Sequence, residues 1–144
     1  MNKRIISFAL VIVLVFLVGC SESSNKFTFS YSIEQDKIIK GERIGISVTL
    51  INDSNKKYTY SGSESEFRAT VKLFCNDGEM EYIIPIEPIP STDDVGKHII
   101  EPHKGKTSTF YFAIPIDAPS GNYNLRVAYK ESNTTYTNIF TLTD

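Results

Sequence analysis

The chain is 144 residues long, with 15 Lys and Arg against 17 Asp and Glu, a formal charge of -2 at pH 7 and no tryptophan. That is one ordinary domain with enough chain for a real core. Its mildly acidic balance argues against nucleic acid as a partner, and two cysteines are too few for a disulfide scaffold.

Taken in order, the chain opens on Lys3 and Arg4, followed by an apolar run from Ile5 to Val18 broken only by Ser7. A basic start, an apolar middle and a small residue at Gly19 form the three-part layout of a secretory signal. The run is too short for the ~20 apolar residues that an uncleaved span needs. Leu17-Val18-Gly19-Cys20 resembles the bacterial lipobox. The resemblance implies that residues 1–19 are a cleaved signal peptide helix, that the Cys20 sulfur carries diacylglycerol, and that the mature protein begins at Cys20. Two acyl chains give a stable anchor where one is marginal. The address implied is the extracytoplasmic face of a cell membrane. In a Gram-positive cell this is the plasma membrane; in a Gram-negative cell the outer membrane is the alternative.

Cleavage leaves 125 residues, with 13 basic against 17 acidic, all 8 tyrosines and 7 of the 9 phenylalanines. Residues 20–26 read as the lipidated cysteine and a short polar tether, reaching roughly 20 Å at ~3.5 Å per residue. A single domain is expected over 27–144.

Within that domain the period is two. Phe27, Phe29, Tyr31 and Ile33 alternate with Thr28, Ser30 and Ser32, the signature of a half-buried strand. Lys37 to Ile39 resumes the extended pattern, and Lys40-Gly41-Glu42 turns the chain. Ile44, Ile46, Val48 and Leu50 mark a second strand, ending in the turn formers Asn52 to Asn55. Tyr58 and Tyr60 lie on a short third strand, where two readings stand: same-face packing in the core, or an exposed aromatic binding face.

Ser61 to Glu66 reads as an acidic loop. Phe67 to Cys75 alternates again and meets Asp77-Gly78, a tight hairpin signal. The returning arm, Glu79 to Ile86, contains Pro85 and should lie at an edge or end early. Ser91 to Lys97 reads as a surface loop. Ser108, Phe110, Phe112 and Ile114 share one face of the next strand; Pro115 to Gly121 forms a corner; Tyr123, Leu125, Val127 and Tyr129 follow. A last strand over Thr135 to Leu142 places Tyr136, Phe140 and Leu142 inward. About seven to eight strands with turns every 8 to 12 residues predict an all-β antiparallel sandwich.

Pro119 to Val127 resembles the corner and penultimate strand of immunoglobulin-like and fibronectin-III-like domains. The resemblance implies a structural corner of Gly121, Tyr123 and Leu125, in which Tyr123 bonds the backbone upstream and Leu125 takes the place of the antibody cysteine. Gly41 to Asn52, Tyr58 to Gly62, Phe67 to Gly78, Lys104-Gly105-Lys106 and Gly121-Asn122-Tyr123 together resemble the bacilli intracellular proteinase inhibitor domain, an immunoglobulin-like module also found in lipoproteins. No reactive-site residue carries over from that resemblance.

No chemistry stands out. Cys75 continues an apolar row and reads as a buried small hydrophobe. His98 and His103 lack a third ligand in register, and neither Glu64-Glu66 nor Asp93-Asp94 has the ligand spacing of a calcium loop. Asn52-Asp53-Ser54 and Asn133-Thr134-Thr135 match a glycosylation sequon but read as turns. There is no phosphate loop and no nucleophile with its base. The expectation is a non-enzymatic binding or adaptor module without catalytic residue, metal or cofactor, held by membrane lipid at Cys20 and engaging a protein or cell-wall partner. An envelope proteinase inhibitor, with its loop at Ser61–Glu66 or Glu87–Lys97, is the alternative.

Overall fold

A computed structural model of the chain describes residues 26–63, 69–88 and 95–143. The signal peptide, with Leu17, Val18, Gly19 and Cys20, lies outside the described residues, as do both acidic pairs, residues 64–66 of the first loop considered for inhibition and residues 89–94 of the second. Among the described residues there are nine strands: β1 (Phe27–Ile33), β2 (Arg43–Asn52), β3 (Tyr58–Ser63), β4 (Thr70–Asp77), β5 (Met80–Ile84), β6 (Val95–Ile100), β7 (Gly105–Ala113), β8 (Gly121–Tyr129) and β9 (Ser132–Leu142).

They form three antiparallel sheets, ordered β1-β2-β7, β5-β4-β8-β9 and β3-β6. The first two are the layers of an immunoglobulin-like, fibronectin-III-like sandwich, and alternation along each strand selects which side chains meet between them. Ile46, Val48, Leu50 and Phe112 from one layer and Leu73, Tyr123, Leu125 and Val127 from the other are completely sealed from solvent. Removing each such side chain from water is worth about 1.5–3 kcal/mol. The opposite face of the first layer is hydroxylic, with Ser47 bonded to Thr109 at 2.8 Å and Thr49 to Thr107 at 2.7 Å.

Both open sides of the sandwich are bridged. On one, the Tyr136 hydroxyl donates to the Phe29 carbonyl, joining β9 to β1. On the other, Pro85 ends β5, and the chain crosses to the opposite layer, where Ile86 pairs with Phe112 and the Glu87 amide donates to the Tyr111 carbonyl at 2.8 Å. β5 is therefore an edge strand cut short by a residue with no amide to give.

Two segments differ from expectation. Lys37–Ile39 is not a strand. It belongs to a loop pinned by the Glu34 amide on the Gly45 carbonyl and the Gly41 amide on the Ile114 carbonyl. The second is β6, which takes the end of the supposed Ser91–Lys97 loop and runs on to Ile100. Its pairing with β3 makes a ribbon between the ends of β2 and β7.

That ribbon corrects the exposed reading of Tyr58 and Tyr60. Both are buried at 7% exposure, because β3 turns its aromatic face onto the core rather than to solvent. The Tyr58 ring meets Phe27 edge-on at 4.9 Å, and its hydroxyl bonds that of Tyr129. Tyr60 stacks on Tyr58 and lies 5.2 Å from the His98 ring. The ribbon is fastened by Asn52, whose fully buried amide donates to the carbonyls of Lys56, Ile100 and Glu101 and accepts from the Ser54 amide and hydroxyl.

Candidate functional site

Between β7 and β8 the chain turns a corner, with the Ala118 amide donating to the Pro115 carbonyl at 3.1 Å. Tyr123 then points inward, wholly buried, and its hydroxyl donates to the Pro119 carbonyl at 3.0 Å. Its ring stacks on Phe140 at 5.1 Å. Burial, with Cys75 and Tyr82 close by, pushes the Tyr123 phenol up to about 12. Gly121 opens β8 at φ 146°, and a Cβ there would sit 3.4 Å from the Cys75 sulfur. Leu125 is fully buried two positions on from the tyrosine.

Immediately beyond the corner the β8–β9 ladder loses register. Tyr123 faces Phe140 and Leu125 faces Tyr136, so two steps on β8 oppose four on β9. The excess is absorbed at Asn138, which adopts φ 54°, a conformation that asparagine tolerates better than most residues. Its amide donates to the Asn124 side-chain oxygen at 3.0 Å, and the Asn122 oxygen accepts from the Thr141 hydroxyl at 2.7 Å.

The widened ladder leaves an open cleft of about 540 Å³ lined by Asn76, Ser120, Asn122, Asn124, Thr137 and Asn138, with Cys75 and Gly121 beside them. Amides and hydroxyls dominate this lining, and it contains no carboxylate, lysine or arginine. Asn124 thus spends its side-chain oxygen within the fold. The chemistry suits a neutral, hydrogen-bonding group such as a peptide backbone or a sugar hydroxyl.

Alongside, the outer surface of the same sheet carries Phe74, paired with Asn124 and only 3% exposed although it points away from the core. Arg126 and Lys72 roof its ring at 5.0 and 5.2 Å. Glu81 bonds Lys72 and lies 3.7 Å from Arg126, and the Lys72 hydrogen bond is the first cause holding its carboxyl below the usual range. Ile83 and Met80 stand exposed on the neighbouring edge strand.

The two histidines are apart in role. His98 lies against Tyr60, whereas His103 sits in the loop before β7 with its ring nitrogen 3.0 Å from the Asn55 side-chain oxygen. Among the described residues no three His, Cys, Asp or Glu side chains gather as a metal site would require. Cys75 is buried on the inward face of β4. The cleft itself was not anticipated. Its one signal is Asn138, a polar residue occupying an apolar place in the alternation between Tyr136 and Phe140.

No family model matches the chain, and no curated relative does. Among solved structures, it is similar to a mutant β-glucosidase from Listeria innocua in complex with laminaribiose, at 14% identity and a TM-score of 0.49 over 88% of this chain. A β-glucosidase from the same organism in complex with isofagomine gives 14% identity and 0.48 over 86%. A β-glucosidase from Erythrobacter marinus gives 14% and 0.45 over 83%. The chain spans only 17%, 17% and 16% of those enzymes' lengths.

Proposed function

We propose that this chain is a lipid-anchored, non-enzymatic binding module of a bacterial envelope, presenting the polar cleft to a protein or cell-wall partner. The observation that carries the reading is the position of the cleft relative to the point where the chain enters the domain. Lys26 and Phe27 lie at the end of the sandwich where Phe27 meets Tyr129, the last residue of β8, at 5.1 Å. The cleft lies around Gly121 and Asn122, the first residues of β8. Nine residues of strand separate the two ends by about 26 Å at ~3.3 Å per residue. A tether at Cys20 would therefore hold the domain with its uncharged, amide-lined opening facing away from the bilayer.

The test is photo-crosslinking in intact envelopes. A photoreactive residue at Asn122 is expected to yield a discrete adduct, released by muramidase if the partner is cell wall and retained if it is protein. The same group at Ser32, exposed on the hydroxylic face, serves as control. Equal yields from both positions, or none from Asn122, would refute the reading.

A further inference from the structure

Charge is distributed unevenly along the long axis of the domain. The end that receives the chain at Lys26 is built from three further segments: the β2–β3 loop, the β6–β7 loop and the β8–β9 turn. The Asp53 amide donates to the Lys26 carbonyl at 3.0 Å, the His103 amide to the Asn52 carbonyl at 2.7 Å, and the Asn52 amide to the Lys104 carbonyl at 3.0 Å. Lys130, in the turn, lies over the Tyr58 ring at 4.3 Å. This end thus gathers Lys26, Lys56, Lys57, Lys104 and Lys130, all exposed, against Asp53, Glu101 and Glu131.

Among the described residues the rest of the domain has 7 basic residues against 8 acidic ones, close to neutral. The basic end therefore carries the net positive charge of the described domain. Among the described residues no carboxylate pairs with Lys26, Lys56 or Lys104, whereas Lys57 reaches Glu101 at 3.1 Å.

We infer that this end is a docking face for the anionic lipid headgroups of the membrane in which the chain is anchored, so that the sandwich stands upright on the bilayer instead of tumbling on its tether. The inference rests on the lipid-anchor reading. Five residues lie between Cys20 and Lys26, six steps with a reach of roughly 20 Å when extended, so the lysines can come within the ~8 Å over which an anionic surface attracts them at physiological salt. The rest of the described domain is close to neutral, so the field acts chiefly on this end and favours one orientation. A neutral cleft at the far end is then presented outward.

The experiment uses the full acylated protein in vesicles of phosphatidylcholine, alone or with phosphatidylglycerol. Energy transfer to a headgroup dye is read from a fluorophore at Asn133, beside the basic turn, and from one at Asn122. Phosphatidylglycerol is expected to raise transfer from Asn133 about twofold while lowering it from Asn122, and high salt to reverse both. Joint replacement K56E, K104E and K130E should abolish the response, with the corresponding glutamine variant falling between. An acylated, vesicle-bound protein whose transfer ignores lipid charge, salt and these substitutions overturns the docking face alone. A chain with no acyl mass at Cys20 overturns both this inference and the anchor on which it rests.

Discussion

Asn52 closes β2, and its side chain serves five hydrogen bonds while completely buried. In the sequence it reads only as the first of four turn formers, because its partners Ile100 and Glu101 lie almost fifty positions away. Replacing it with alanine strands the buried Ile100 carbonyl and leaves the Ser54 amide and hydroxyl without their acceptor, so Asn52→Ala should cost about 2–4 kcal/mol in urea unfolding. Asn52→Asp should be no milder, since a carboxylate cannot donate to those carbonyls. Tyr123, by contrast, was legible through the resemblance of Pro119 to Val127 to the corner of immunoglobulin-like domains, which implies a bond from its hydroxyl to the backbone upstream. Its phenol is raised to about 12 chiefly by burial. The unfolded chain therefore loses that proton first, near pH 10, and the contribution to stability, complete below that pH, is lost as pH rises toward 12. Tyr123→Phe should lower stability by about 1 kcal/mol at neutral pH through the lost Pro119 bond. Its alkaline unfolding should also be shallower between pH 10 and 12, measured by denaturant titration across that range.

Strands whose apolar residues face inward at every second position were readable, and β1, β2, β7 and β8 fall where the alternation puts them. β6 was not readable, for a physical reason. Its inward positions carry Gly96, His98 and Ile100, while Ile99 faces solvent at 56% exposure, so the hydrophobic period is masked. Only its pairing with β3, itself read as two competing possibilities at Tyr58 and Tyr60, reveals the strand. Ile100 is 3% exposed within the core, and Ile100→Ala should cost about 2–4 kcal/mol, whereas Ile99→Ala should stay within about 0.5 kcal/mol. Thermal unfolding of the two variants separates a packed ribbon from a loosely attached loop. Equal effects would place β6 outside the cooperative unit. The β8–β9 irregularity escaped notice because alternation predicts which face a residue takes but not where a ladder accommodates extra residues.

For the molecule as a whole, the all-β sandwich follows from periodicity, whereas its polarity does not. The five lysines at one end come from positions 26, 56, 57, 104 and 130 and converge only when four separate segments fold together. A basic end beside the entry of the chain and an amide-lined cleft about 26 Å away along β8 form a coherent arrangement for a module held on a membrane and read from outside. All of it turns on acylation at Cys20. The most direct measurement is the intact mass of the protein extracted from its native membrane, with C20S alongside. The account predicts a mature chain starting at Cys20 and carrying diacylglycerol on its sulfur, with C20S neither acylated nor cleaved there. A wild-type mass that retains residues 1–19, or a Cys20 without lipid, would contradict it.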